Sequence, residues 1–566
     1  MKSIYAEKAL AQIPRLLSLQ DRNEFSPTYG CFNREYWLCK TVDFPSAIAQ
    51  FGVHSLALVY THAMPGNIYY QQPKILAWTL AGMNYWMKIQ KRDGSFDEFY
   101  PHEHGWAGPT GFLLYAMLDS YRLLGSAFPQ EWLPRFREVV HKAALFLGRY
   151  DEAGVLANHH AMALLPLYEA VLFLNDATLR HWFEVRLEDF LSYCYEEGWC
   201  LEYDGADPGY LSATVSFLAK LRKIYQDERL DRVIQRAIEF SSYFVYPNRF
   251  YGGSLGSRQT LHFYPHGYEL LRREIPLAGV IADEMRLGLQ EGKLVPPEIQ
   301  EDRYFLYRIP EFLQAYIDAP ENEDTPSNDS AGQVDPVRPK LPHQGAPFLR
   351  YFSGARILAT KSHSGYLLVN LAKGGMIKCF NQKNELIFND CGLIGRLADG
   401  RVVTSAWIDP GYEIQAKQQE FAVQGDCHYL GHQVFNPFTM ILFRLFMLTL
   451  GWSTRLSYSI KGLIRNILTL TQKKSPIRFH RQIILDKEDF FVSDTITIAD
   501  QSEFTRLNIG DELMLRFVPQ SRYFQSQELA LTSYTLTSNQ LDELNHNKTF
   551  TLRRQISGED GRVTFL

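Results

Sequence analysis

Leu179-Arg180-His181-Trp182-Phe183-Glu184-Val185-Arg186-Leu187-Glu188-Asp189-Phe190-Leu191-Ser192-Tyr193-Cys194 spaces its apolar residues by threes and fours, at Leu179, Trp182, Phe183, Leu187, Phe190, Leu191 and Cys194. That spacing puts them on one face of an α-helix and turns the charged residues away. The same period recurs near 47–62, 72–90, 109–124, 132–149, 159–174, 211–225, 229–245 and 267–290, with Gly, Pro, Asp and Asn in the breaks. Stacked helical hairpins are expected over 46–319, either closed into an (α/α) toroid or open as a solenoid. Pro166 predicts a kink in its helix. Beyond Pro347 the period falls to two, as in Asp489-Phe490-Phe491-Val492-Ser493-Asp494-Thr495-Ile496-Thr497-Ile498. Many such short runs predict an antiparallel β-sandwich. The expected organisation is a multidomain α+β chain. It has an N-terminal arm (1–45) packed on the toroid (46–319), a flexible linker (320–346) rich in Pro, Asp, Asn, Ser and Gly, and a sandwich (347–566).

With 566 residues and 46% hydrophobic content the chain can bury large cores in at least two domains. A net charge of −5 supplies no field for nucleic acid, and no base-reading motif or glycine-rich phosphate loop occurs. Seven scattered cysteines lack metal or redox spacing and read as reduced, buried thiols. Residues 1–19 carry Glu7 and no long apolar core, unlike a signal peptide. The expectation is a cytoplasmic protein with no metal and no cofactor. Aromatic residues at 14% suit stacking on sugar faces, and equally suit large cores.

The chemistry concentrates in Asn158-His159-His160 and in Asp204-Gly205-Ala206-Asp207-Pro208-Gly209-Tyr210. An amide, two imidazoles and a phenol on successive helical elements can hold a carboxylate and move the proton on the carbon beside it. Such a carbon acid needs donors to neutralise the anion, a base for the proton, and an acid at the other end. Asn158 can supply donors, His159 or His160 the base, and Tyr210 the second proton transfer. The structural alternative is a pair of histidines that cap and pack a helix start.

A helical toroid followed by a β-sandwich, with these two motifs in this order, resembles the heparinase II/III-like polysaccharide lyases. That family is related in fold to alginate lyases and uronyl C5-epimerases. The resemblance implies catalytic roles for three residues: Asn158 against a uronate carboxylate, His159 beside it, and Tyr210 as acid or base. It implies β-elimination on an acidic polysaccharide or oligosaccharide; C5-epimerisation, hydrolysis or glycan binding without chemistry stand as alternatives. Two departures are visible. Asp207 stands where the family usually has Glu, and the family's His-x-His-x-x-Asp cluster is replaced by Lys361-Ser362-His363-Ser364-Gly365.

Other candidate substrate contacts are His160, Asp204, Arg258 and His262, together with Tyr100, His102, His104 and Trp106 in the loop 90–106. Arg258 is the second cation expected for an acidic sugar, because its Gly252-Gly253 loop lets side chains converge. The loop 90–106 reads equally as a capped turn, Asp93 opening it and Gly94 supplying the tight φ. Arg34, Tyr36 and Trp37 read either as cleft residues or as arm packing. A glycosidase pair drawn from Asp93, Asp97 and Asp204 is the hydrolytic alternative.

Between Cys427 and Leu485 there are eight Lys and Arg and no acid, around the apolar run Phe438 to Trp452. A plain sandwich has no use for that run, so a helical insert is expected over about 436–474. Arg444 in its middle argues against a membrane span. Two readings stand: an interfacial helix pair on the inner face of an anionic membrane, or an insertion buried against the toroid. With a uronate-type site, the former suits work on a polysaccharide during its assembly, such as an exopolysaccharide.

Overall fold

The computed structural model describes residues 2–151, 156–320, 338–430, 436–465, 473–510, 523–530 and 533–566. Most of the expected linker, 321–337, lies outside the described residues. The helices before it form two concentric layers. The outer layer holds α1 (Ser3–Leu10), followed by the short α2 (Ile13–Leu19). The inner layer begins with α3 (Gly52–Thr61), backed on the outside by α4 (Pro73–Ile89). The alternation continues with inner α5 (Leu113–Leu124) and outer α6 (Leu133–Arg149), then inner α7 (Ala157–Leu174) and outer α8 (Ala177–Ser192). Inner α9 (Pro208–Arg222) pairs with outer α10 (Glu228–Ser242), inner α11 (Pro265–Leu271) with α12 (Pro276–Gln290), and inner α13 (Asp302–Asp318) with α1.

Each inner helix packs on the next, and α13 returns to α3, so the ring is a closed toroid rather than a solenoid. The sixth outer position is filled by α1, from the N-terminal arm. Its Tyr5 is buried and donates to Glu269 Oε1 at 3.2 Å, while Arg15 pairs with Asp302 at 2.7 Å. Trp37 donates from Nε1 to Leu19 O at 2.7 Å, which fixes it as arm packing.

The helical face first read from the sequence lies in α8. Leu179, Phe183, Leu187 and Phe190 are fully buried there, and Trp182, Leu191 and Cys194 sit half-buried at the edge. Arg186 on the same helix is buried too. Its Nη2 donates to Gly148 O (2.8 Å) and Tyr150 O (2.7 Å), satisfying carbonyls at the end of α6. Pro166 sits inside α7, buried among the inner helices.

The second half has two antiparallel sheets. The first runs in sequence order: β1 (Phe348–Phe352), β2 (Ile357–Lys361), β3 (Gly365–Asn370), β4 (Met376–Asn381) and β5 (Leu386–Asp390). The second contains β6 (Leu393–Leu397), β7 (Val402–Thr404), β8 (Glu413–Lys417), β9 (Glu420–Leu430), β10 (Lys474–Leu485), β11 (Asp489–Ile498), β12 (Phe504–Ile509), β13 (Tyr534–Thr535), β14 (Thr549–Ser557) and β15 (Val563–Phe565). Its order is β13-β12-β6-β7-β9-β10-β11-β14-β15, with β8 beside β9. Phe479 faces Ile496 and Ile483 faces Val492 in the β10–β11 register, so alternate side chains fill the space between the sheets. The first sheet lies on the toroid. Phe352 meets Phe240 and Tyr243 at ring distances of 5.0 and 5.1 Å, and Tyr366 donates to Tyr243 O at 2.8 Å.

Inside the sandwich four buried charges form one cluster. Arg481 reaches Asp390 (2.9 Å) and Asp494 (2.6 Å), and Arg554 reaches the same two carboxylates at 2.8 and 2.6 Å. This corrects the reading of the basic stretch: Arg478 and Arg481 belong to β10, and Arg481 is a core residue. The helical insert itself is α14 (Pro437–Thr449) and α15 (Thr454–Arg465); the remainder of the expected insert, 466–472, lies outside the described residues. Burial alone would raise the Asp390 carboxyl, but the Arg481 and Arg554 charges hold it at about 2, below its ordinary 3.8. The folded pKa is depressed, so its contribution to stability is present above pH 4 and lost as pH falls towards 2. Arg554→Leu leaves the carboxylates short of a partner and is expected to cost about 3 kcal/mol in urea unfolding at pH 7. The deficit should shrink as the acid limb is approached.

Candidate functional site

Asp207 is the N-cap of α9, and its carboxylate is wholly buried. One oxygen accepts from Tyr210 N (3.2 Å); the other accepts from Arg258 N (2.8 Å) and Thr260 N (3.4 Å). One side chain therefore sets both the first turn that carries Tyr210 and the loop that carries Arg258. The approach is so close that a Cβ on Gly256 would stand 2.6 Å from Asp207 Oδ2, and one on Gly209 would stand 2.5 Å from Thr260 Cγ2. Ser257 adds a bond from N to Ala206 O (2.9 Å) and one from Oγ to Glu202 O (2.8 Å). From the sandwich side, Lys373 Nζ donates to Ser254 O and Gly256 O at 2.8 Å each, and Asn370 Nδ2 donates to Leu255 O at 2.7 Å. The loop 253–260 is thus clamped between the two halves.

Asn158 lies in the first turn of α7 and is held by Glu202. Its backbone N donates to Glu202 Oε1 (2.6 Å) and its Nδ2 to Oε2 (2.8 Å), so Glu202 both caps the helix and orients the amide. Burial pushes the Glu202 carboxyl up to about 8, against the two Asn158 donors; Asp207 adds to the rise and Arg258 opposes it. The Arg258 guanidinium rests 3.6 Å above the Tyr203 ring, and its charge reaches both Glu202 and the Tyr210 phenol. Tyr203 (φ +62°) and Gln259 (φ +57°) hold left-handed backbone on either side of this stack. Burial drives the Tyr210 phenol well above its ordinary value, with Tyr203 and Tyr304 nearby and Arg258 opposing. Tyr210 is therefore a protonated phenol at neutral pH. His262 stacks on Tyr304 at 5.6 Å and 11°, with Gln300 Nε2 3.3 Å from its Nδ1.

Asn158, Arg258 and Tyr210 are brought together in this way, with His262 one ring beyond Tyr304. His159 is half-buried in the first turn of α7, next to Asn158, and Asp204 is half-buried in the turn before Asp207. His160 is placed elsewhere. It is 1% exposed, wedged between the rings of Trp106 (5.2 Å) and Tyr193 (5.0 Å), with Nε2 3.4 Å from Asp151. It belongs to the helical wall.

The loop 90–106 turns out to be a dock for the helical insert. Tyr100 meets Phe443 at 5.0 Å and His102 meets Trp452 at 4.4 Å. His104 is buried between Asp93 (2.6 Å) and Gly451 O (3.1 Å). Trp106 is 1% exposed and donates to Leu147 O at 3.2 Å, so it is no platform for a sugar. Thr454 donates to Asp93, Ser457 to His102 O and Tyr458 to His104 O. Asp93 and Asp97, two of the three carboxylates of the hydrolytic alternative, lie in this dock. Asp93, despite its burial, is held at about 2 by His104 and Ser95, and Asp97 accepts from the backbone of His102 and His104 while pairing with Lys91.

Sequence reasoning passed over Glu202 and Tyr203, the two residues just before the turn it had singled out, and Tyr304, which no motif marks. It also passed over the sandwich loop 405–411, whose Ile408 would stand 2.9 Å from a Cβ on Gly205. Behind that loop His428 is buried, 3.1 Å from Asp409 and 3.3 Å from the Tyr412 hydroxyl. Among the described residues no group of three or more His, Cys, Asp or Glu side chains is placed to hold a metal ion.

No family model matches the chain, and no curated protein matches it significantly. Solved structures do. The chondroitin AC lyase of Streptomyces coelicolor A3, in complex with chondroitin sulphate, superposes with a TM-score of 0.50 at 11% identity, over 90% of this chain and 67% of that one. A mutant heparan sulfate lyase HepC from Pedobacter heparinus gives 0.43 at 12% identity, over 89% and 70%. The chain has the toroid-plus-sandwich fold of the chondroitin AC lyase.

Glu202 supplies a titration test. Its folded pKa, about 8, is raised above the ordinary 4.5, so the stability it contributes is complete below pH 4.5 and lost as pH rises through 8. The stability of the wild type relative to Glu202→Gln is expected to decline across that interval in denaturant titrations at stepped pH. A constant difference would mean that Glu202 is ionised throughout.

Proposed function

We propose that this protein is a lyase that cleaves an acidic polysaccharide by β-elimination at a uronate residue. The observation that carries the reading is the convergence of Asn158, Arg258 and Tyr210 on one scaffold, Glu202 with Asp207, where the toroid meets the sandwich. An amide and a guanidinium are the donors a sugar carboxylate requires, and two of them make the neighbouring C5 proton removable. The fold shared with a chondroitin AC lyase supports the same substrate class.

In this reading Asn158 and Arg258 bind the carboxylate and take up the charge that develops on it. His159 removes the C5 proton through a ring nitrogen. The electron pair left on C5 forms the C4–C5 double bond as the C4–O bond breaks. Tyr210, kept protonated by its burial, gives its proton to the departing oxygen. The products are a free hydroxyl on one fragment and an unsaturated uronate on the other, so atoms and charge balance. Epimerisation would begin with the same abstraction and return a proton to the opposite face of C5.

The test is incubation with chondroitin sulphate, heparan sulfate and alginate, following the ultraviolet absorbance of an unsaturated uronate and deuterium uptake at C5. Tyr210→Phe is expected to lower product formation by about 100-fold or more while retaining C5 exchange. His159→Ala should lose both, with folding unchanged by circular dichroism. Exchange without any unsaturated product in the wild type would identify an epimerase. The absence of both across these polymers would overturn the lyase reading.

A further inference from the structure

We propose that the helical hairpin α14–α15 is a docking surface for an anionic lipid bilayer, and that it lies flat in the membrane interface. On α14 the side chains turned towards the toroid are Phe443, against Tyr100, and the buried Met447. The opposite stripe holds Phe438, Ile441, Leu442, Leu445 and Leu448, at helical spacing, and every one is exposed; Phe438 is 77% and Leu442 67% accessible. A surface helix ordinarily turns polar residues to that side. Here both faces are apolar, and among the described residues only one is covered by the chain. Trp452, at the turn into α15, is 67% exposed with its indole Nε1 bonded to Leu448 O at 2.9 Å. An amphipathic ring at that position suits the boundary between headgroups and acyl chains.

Charge selects the occupant. From Cys427 to Leu485 there is not one carboxylate. Two cations of the hairpin are matched by carboxylates of the toroid, Arg444 by Asp43 and Lys461 by Glu103. Arg455, at the start of α15, is exposed and has no acidic partner among the described residues. An aliphatic stripe with a tryptophan at its edge, basic residues and no acid is the composition of an interfacial helix, and it complements an anionic surface. No helix among the described residues is long and apolar enough to cross a membrane. At 13 residues α14 is about 20 Å long, enough to lie along the interface.

The hairpin's mounting gives the contact a direction. Lys461 pairs with Glu103, Arg303 pairs with Glu98 (2.6 Å) and stacks over Tyr304 (5.5 Å), and Tyr304 neighbours Tyr210. A bilayer on α14–α15 would therefore lie at the end of the toroid that holds the candidate site. The proposal does not rest on the lyase reading, because it requires no turnover.

The test is flotation of the full chain with phosphatidylcholine vesicles, with and without phosphatidylglycerol. The wild type is expected to float with the anionic vesicles, and more weakly as salt is raised from 0.1 to 0.5 M, since surface attraction is screened within about 10 Å at 0.1 M. Leu442→Glu/Leu445→Glu alters two exposed side chains and should preserve the circular dichroism melt while lowering the bound fraction by about tenfold or more. A wild type that stays with neither vesicle, or a double variant that floats equally well, overturns the proposal. So does a dimer by light scattering that the double variant converts to monomer, because a second copy of the chain would then cover the face.

Discussion

The buried Asp207 carboxylate is the constraint on which the rest of the site depends. Three backbone N–H groups from two chain segments some fifty residues apart converge on it, and each arrives with a residue behind it: Tyr210, Arg258 and Thr260. A carboxylate so far from water is costly unless its lone pairs are filled. Burial raises its pKa, while those three N–H bonds and the charge of Lys373 oppose the rise. Asp207 is short enough to cap α9 and still touch the loop 256–260, where Gly256 leaves no room for a longer reach.

The clamp also ties the toroid to the sandwich. The toroid holds the loop 253–260 through Asp207, Glu202 O and the Tyr203 ring, and the sandwich adds a second set of bonds. Asn370, at the end of β3, and Lys373, in the turn that follows it, bind three of the loop's carbonyl oxygens. Lys373 is buried, and its charge also lies close enough to Asp207 to favour the ionised carboxylate. The sandwich thereby fixes the Arg258 loop from outside, and the quartet around Asp390 holds the two sheets of the sandwich together from within.

The parts of the fold visible in the sequence were those set by local periodicity. The α8 face from Leu179 to Leu191, the β11 alternation and the apolar run of α14 all come from spacing, which the chain displays directly. Closure of the ring did not, because it depends on α13 meeting α3 and on α1 filling the last outer place, contacts between residues hundreds of positions apart. At the site, Asn158, Arg258 and Tyr210 were legible because each stands in a short motif of capping, glycine or imidazole residues. Glu202 was not, since its role is set by the Asn158 amide across a turn. The loop 90–106 shows the limit most clearly. Its histidines and aromatics have the composition of a sugar-binding loop, and only the return of residues 451–458 to it reveals a docking site.

The organising role of Asp207 is tested most directly by amide hydrogen exchange on Asp207→Ala. If one carboxylate holds both segments, protection should fall together at Tyr210, Arg258 and Thr260, while α3, α5 and the strands of the sandwich keep wild-type protection. Unchanged protection at Arg258 and Thr260, with loss confined to the first turn of α9, would contradict the account and reduce Asp207 to an ordinary helix cap.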